Sequence, residues 1–181
     1  MSAVNALRKL LVDDVIVPLT KEDYDKWSCV LPEEQANYSY KIRSVPDDML
    51  AFKSDKFPNT GRAFFSGKNN ECMKADYVLV SDSEKIIMIF ELMTTKAKTN
   101  EEVVAQLKGA KCILDYCASI SSAFLNERNI FAGFTYRYYK IVFGMSEKRP
   151  FKQVKKSENS TPESRRILPG HDTSFKGLLG G

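Results

Sequence analysis

The spacing of apolar positions changes period several times along the chain, and each change marks an element. Residues 3–12 (Ala-Val-Asn-Ala-Leu-Arg-Lys-Leu-Leu-Val) place apolar side chains three and four apart, which predicts a first helix, and Pro18 closes the segment behind it. Residues 38–45 (Tyr-Ser-Tyr-Lys-Ile-Arg-Ser-Val) alternate as a half-buried strand does; Pro46-Asp47-Asp48 then reads as a turn and residues 49–53 as a weaker second strand. Residues 54–71, rich in Lys, Asn, Gly and Ser, predict no regular element. Two strands at 76–81 and 86–91, separated by Asp82-Ser83-Glu84-Lys85, predict a β-hairpin. Its second member is apolar nearly throughout, the pattern of a central strand covered on both faces.

Thr99 followed three residues later by Glu102 is a capping box, so a helix is predicted from about 100 to 121. Val103, Leu107, Ala110, Leu114 and Cys117 form its apolar stripe, Ile113, Tyr116 and Ile120 widen it, and Gln106 and Gly109 lie along its flank. Residues 134–145 predict another strand, whose alternation accounts for Tyr136, Tyr138 and Tyr139 more simply than base stacking does. Ser160-Thr161-Pro162-Glu163 resembles the cap and first turn of a short helix carrying Arg165 and Arg166, ended by Pro169-Gly170. Helix, strands, hairpin, helix and strand in that order predict a mixed α/β, or α+β, sandwich. The expected organisation is a single domain over residues 1–146 and a basic C-terminal extension over 147–181, packed on or beside it.

Charge sharpens that division. The 181 residues carry 27 Lys and Arg against 23 Asp and Glu, a net +4. Residues 137–181 hold ten of the cations against four acids, leaving the preceding 136 residues with 17 cations against 19 acids. The densest run, residues 147–156, contains Lys148, Arg149, Lys152, Lys155 and Lys156, and with Lys98 these are the expected contacts to a phosphate backbone. The four cysteines contain no C-x-x-C pair, which argues against a disulfide framework or a zinc ribbon, and the single histidine, His171, argues against histidine-based metal sites and relays. No apolar run is long enough for a membrane span and no secretory leader is evident, so a soluble, cytoplasmic protein without membrane association is expected. Any catalysis should therefore run on carboxylates, lysine and a hard metal.

The hairpin offers one such constellation. A four-residue turn pairs Ser81 with Ile86 and so sets Asp76 directly across from Glu91, with Cβ atoms roughly 5 Å apart on one face. Two facing acids destabilise a sheet, and burial disfavours both ionised forms, so the pair needs a compensating charge. Mg²⁺ or Mn²⁺ would provide it, because such ions accept one or two carboxylates together with water and phosphate oxygens and assist phosphodiester hydrolysis.

With Glu91-Leu92-Met93-Thr94-Thr95-Lys96 following a buried strand and Val104-Ala105-Gln106-Leu107-Lys108 on a capped helix, residues 72–121 resemble the PD-(D/E)XK nuclease superfamily, of restriction-endonuclease-like αβββαβ core. The resemblance implies Asp76 and Glu91 as metal ligands, Gln106 as the helix glutamine that orients site or substrate, and a nucleic-acid substrate, DNA before RNA. Met93 stands where the superfamily carries lysine, and Lys96, beyond the strand end, is the candidate replacement. Asp13, Asp14, Glu33 and Glu34 are available as a further acid. Analogy with the superfamily extends to a homodimer or a larger defence or repair assembly. The alternative, motivated by Met93, is a catalytically inactive nuclease-like domain that binds nucleic acid or a protein partner within a larger assembly.

Overall fold

The computed structural model describes residues 1–33, 37–58, 64–94, 98–144 and 159–180. In chain order its elements are helix α1 (Ala3–Leu10), strands β1 (Ile16–Val17), β2 (Leu19–Lys21), β3 (Trp27–Glu33), β4 (Tyr38–Val45), β5 (Leu50–Lys53), β6 (Tyr77–Ser81) and β7 (Ile86–Thr94), helix α2 (Asn100–Phe124), strands β8 (Thr135–Phe143), β9 (Arg166–Pro169) and β10 (Thr173–Ser174), and helix α3 (Phe175–Leu179). The described strands form two mixed sheets, one of six in the order β1-β5-β6-β7-β8-β9 and one of four in the order β10-β4-β3-β2. The class is α+β, as the apolar pattern predicts.

The six-stranded sheet is the middle layer. Its helix-facing side packs Val78, Val80, Ile87 and Ile89 against Leu7 of α1 and Leu107 and Leu114 of α2. Its other side packs Leu79, Met88, Phe90 and Leu92 against Leu31 of β3, Ile42 of β4 and Phe175 of α3. Burial on both faces explains why residues 86–93 of β7 are all buried and nearly all apolar. On that second face Tyr139 of β8 stacks on its neighbour Phe90 of β7, with ring centroids 4.8 Å apart, and across the interface its hydroxyl donates to the Leu178 carbonyl at 2.9 Å.

Local signals set the ends of the elements. The hairpin register runs from Ser81↔Ile86 to Tyr77↔Phe90, as a four-residue turn dictates. Its turn also holds another element, because the Asp82 carboxylate accepts the Ala3 and Val4 N–H groups at 3.0 and 2.9 Å and so caps α1 from outside the helix. The capping box of α2 forms in full: Thr99 Oγ1 accepts from the Glu102 N–H at 3.2 Å and Glu102 Oε2 from the Thr99 N–H at 2.7 Å.

Two features depart from the sequence pattern. Residues 166–169 form strand β9 and not a helix, because pairing parallel to β8 gives their backbone groups partners that an isolated turn of helix would leave unmet. Ahead of it, Thr161 and Ser164 close a turn through their hydroxyls, 2.9 Å apart. Strands β1 to β3 carry too little periodicity in the sequence to stand out; β2 and β3 are held by the strands next to them along the chain, and β1 by the more distant β5. The described part of the C-terminal region, residues 159–180, thus contributes to both sheets. Among the described residues no helix is long and apolar enough to cross a membrane.

Candidate functional site

The hairpin, the start of α2 and the ends of β8 and β9 bring the chemistry together on the helix-facing side of the six-stranded sheet. Residues 87, 89, 91 and 93 alternate onto that side, so Glu91 sits between Ile89 and Met93 of the apolar core. Its side chain has 0% exposure. Asp76 lies one residue beyond the last paired position, Tyr77↔Phe90, and is partly buried. Its Oδ2 accepts the Leu92 N–H at 2.7 Å, taking a donor that the end of the ladder leaves available.

Lys98, immediately before the cap of α2, donates from Nζ to Glu91 Oε1 at 2.5 Å, and its own side chain is 32% exposed. The cation expected on the nucleic-acid-contacting surface therefore reaches into the acid pair. Burial pushes the Glu91 carboxyl up, and the charge of Asp76 pushes it further, while Lys98 and the nearby Gln106 amide oppose the shift. Burial likewise raises Asp76, against the Leu92 N–H and the charge of Lys98. For Lys98, burial favours the neutral amine, but the carboxylate of Glu91 outweighs it and the ammonium is held more firmly than usual. Two acids thus lie beside one ammonium in a largely buried site. Glu91 Oε2 is buried and has no hydrogen-bond partner among the described residues.

The segment leading into Asp76 is clamped from both sides. Ser54 donates from its backbone to the Asp76 carbonyl at 2.8 Å and from its hydroxyl to the Ala75 carbonyl at 2.6 Å. On the other side Gln106 Nε2 donates to the Lys74 carbonyl at 3.4 Å. A Cβ on Gly109 would fall 1.8 Å from the Met73 carbonyl oxygen, so the absence of a side chain there lets residues 73–74 lie directly on α2. Gln106 therefore acts on the site by holding the backbone that carries Asp76.

Glu33, at the end of β3, is the acid from the sequence-derived set that comes near: its charge bears on both Asp76 and Lys98. With Lys53, Asp55, Lys56 and Asp76 it lines a polar cavity of about 100 Å³. Asp13 and Asp14 lie exposed in a 3-10 turn. Lys96, Glu34 and the run containing Lys148, Arg149, Lys152, Lys155 and Lys156 fall outside the described residues. Met93 is 5% exposed and part of the helix-side core, a packing role. Tyr138 and Tyr139 are both buried, in the cores on opposite faces of the sheet, so this part of β8 is covered on both sides and not half-buried as its alternation suggests.

Two residues beside Glu91 escaped the sequence reading. Lys140 is its Cα partner across the parallel β7–β8 ladder, and Arg165 precedes β9 on the same side. Lys140 carried a signal, a lone lysine inside the otherwise apolar stretch 138–143; Arg165 carried none, because its place depends on β9 joining the sheet.

As a donor set, Asp76 and Glu91 suit a hard cation: both are carboxylates, and Glu91 Oε2 is an orphaned buried acceptor of the kind a metal satisfies. Among the described residues no cluster of three or more His, Cys, Asp and Glu side chains surrounds such a point, so waters or phosphate oxygens would complete the coordination. No family model matches the chain, and no curated protein or solved structure matches it either.

Proposed function

We propose that the protein is a Mg²⁺-dependent phosphodiesterase of PD-(D/E)XK type that hydrolyses nucleic acid, with DNA as the first substrate to test. One observation carries the reading: Glu91 is wholly buried, keeps an unpartnered oxygen, and sits beside a second carboxylate and an ammonium on one side of the sheet. Burying an acid in this way is costly unless the site binds something, and perturbed carboxylate pairs are concentrated where chemistry is done. With β1 to β4 treated as an insertion after α1, the order α1, β5, β6, β7, α2, β8 is compatible with αβββαβ.

Asp76 and Glu91 would hold the metal, which when bound supplies charge neutralisation at the reacting phosphate and an acidified water. Lys98 holds its ammonium against Glu91 and is the lysine positioned to meet charge developing on the phosphate. Gln106 and Ser54 keep Asp76 in register with Glu91 through the 74–76 backbone.

Cleavage of single- and double-stranded DNA and RNA with Mg²⁺ or Mn²⁺, comparing the wild type with Asp76→Asn and Glu91→Gln, tests the reading. Loss of cleavage in both variants with unchanged melting is expected; cleavage that survives both overturns it.

The alternative, an inactive nuclease-like domain, has its own support: Lys98 already neutralises Glu91, and Met93 fills the core where a lysine would stand. Calorimetric titration with Mn²⁺ in the presence of nucleic acid separates the two. Binding that is lost in Glu91→Gln favours the enzyme, and absence of binding favours the inactive domain.

A further inference from the structure

The acid pair has a cationic neighbour that its own neutralisation does not use. Lys140 is level with Glu91 on the adjacent strand, about 4.8 Å away backbone to backbone, and on the same side of the sheet. Lys98 already occupies Glu91 Oε1, and Lys140 makes no ion pair among the described residues. In the β8–β9 ladder Arg166 pairs with Tyr139 and turns toward α3, where its Nη1 donates to the Gly177 carbonyl at 2.8 Å. Alternation then turns Arg165 the other way, toward Lys140.

Arg165 is anchored by its far end. Nη2 donates to Asn100 Oδ1, in the first turn of α2, at 2.7 Å, and Nη1 donates to the Pro162 carbonyl at 3.2 Å. Its Nε–H is buried with no acceptor. Burial lowers the pKa of both cations, and Arg165 lowers that of Lys140 further. Two like charges are thus brought together partly out of water at the first turn of a 25-residue helix, whose free N–H groups add positive potential. Glu163, whose charge partly offsets the effect of burial on Arg165, is itself paired with Lys108 at 2.7 Å. Glu91 supports the charge of Lys140 from the adjacent strand, but among the described residues no acceptor meets the Arg165 Nε–H.

We propose that Lys140 and Arg165 form a phosphate subsite that seats a backbone phosphodiester of a nucleic-acid strand beside the Asp76–Glu91 pair. The Arg165 guanidinium, held in place by Asn100 and Pro162, contributes a fixed delocalised charge beside the phosphate, and Lys140 supplies a point charge to one of its oxygens. Adjacent acids repel a free anion, so a phosphate held here is tolerated next to Glu91 because Lys98 lies against that carboxylate. The subsite gives the substrate class of the proposed function and rests on that reading for its place in a reaction, but it binds without metal.

Anisotropy of a labelled DNA strand in EDTA, over a series of salt concentrations, reads it directly. Lys140→Gln and Arg165→Gln should each weaken binding about tenfold at low salt and reduce the salt slope by about one, and Lys140→Arg should restore the slope. Lys9→Gln, on exposed α1, should change neither. In the wild type, the Arg165 Nε–H resonance should shift when the DNA strand is titrated in, which needs no variant to fold. Unchanged affinity and slope in both glutamine variants, or an unmoved Arg165 resonance, overturns the subsite. So does inorganic phosphate that displaces the strand at equal concentration, which would mark a site for the free ion. If Lys140→Gln and Arg165→Gln weaken binding while the wild type cleaves nothing, the subsite stands and the catalytic reading falls. Cleavage that depends on Glu91 but ignores Lys140 and Arg165 gives the reverse.

Discussion

Replacing Gly109 with alanine should destabilise this protein, although the same change strengthens an ordinary helix by about 1 kcal/mol. Gly109 is in the interior of α2, and the added methyl carbon would lie 1.8 Å from the Met73 carbonyl oxygen and 2.9 Å from its carbonyl carbon. A carbon–oxygen contact is comfortable at roughly 3.3 Å, so the two backbones must separate by about 1.5 Å. The obstacle is main chain and no rotamer relieves it. Overpacking of this kind costs about 1–3 kcal/mol, and the shift would also break the Gln106–Lys74 hydrogen bond, worth about 1 kcal/mol. Set against the helix gain, the net loss is about 2 kcal/mol, or about 4–8 °C in Tm for a domain of this size. Thermal unfolding followed by circular dichroism measures it. Because residues 73–74 lead into Asp76, the proposed nuclease activity should fall by more than the fraction unfolded accounts for. A Tm that stays level or rises refutes the reasoning, since it would mean that α2 and residues 73–74 are not in contact at Gly109.

The remaining predictions concern charge and capping. Lys98→Met strands Glu91 without its cation and should cost about 2–3 kcal/mol by urea unfolding, below the range for a fully buried pair because Lys98 is about one-third exposed; Glu91→Gln in the same chain should recover most of the loss, and no recovery would argue against the ion pair. Asp76 and Glu91 hold their protons more tightly folded than unfolded, so their contribution is full below the ordinary carboxylate range near pH 4.5 and is lost as pH rises through their raised values. The stability of Glu91→Gln relative to wild type should therefore improve from about pH 4.5 into the neutral range, and a pH-independent difference would contradict the raised pKa. Asp82→Ala removes the acceptor for two N–H groups at the start of α1 and should cost about 1–2 kcal/mol in urea, with an unchanged midpoint as the contrary result.

The candidate site was legible in the sequence as far as local rules reach. A four-residue turn sets a hairpin register without help from the rest of the chain, so Asp76 could be placed opposite Glu91 from the turn alone, and the ladder runs as that arithmetic requires. The start of α2 was legible for the same reason: Thr99 and Glu102 satisfy each other within one turn. The nearly unbroken apolar run over residues 86–91 likewise announced a strand covered on both faces, which the structure extends to Thr94.

Tertiary structure decided what compensates the acids. Lys98 meets Glu91 because it stands immediately before the cap of α2, which packs against β7, and no rule of spacing distinguishes Lys98 from Lys96 in that role. Arg165 reaches the site only because residues 166–169 pair with a strand 27 residues earlier at Tyr139, overriding a helix-like local signal. The sequence by itself determined where two carboxylates face each other, since hydrogen bonds within a few residues settle that geometry. Which charges surround them depends on parallel pairing and on packing between layers, whose stabilisation comes from contacts far apart along the chain and has no local signature.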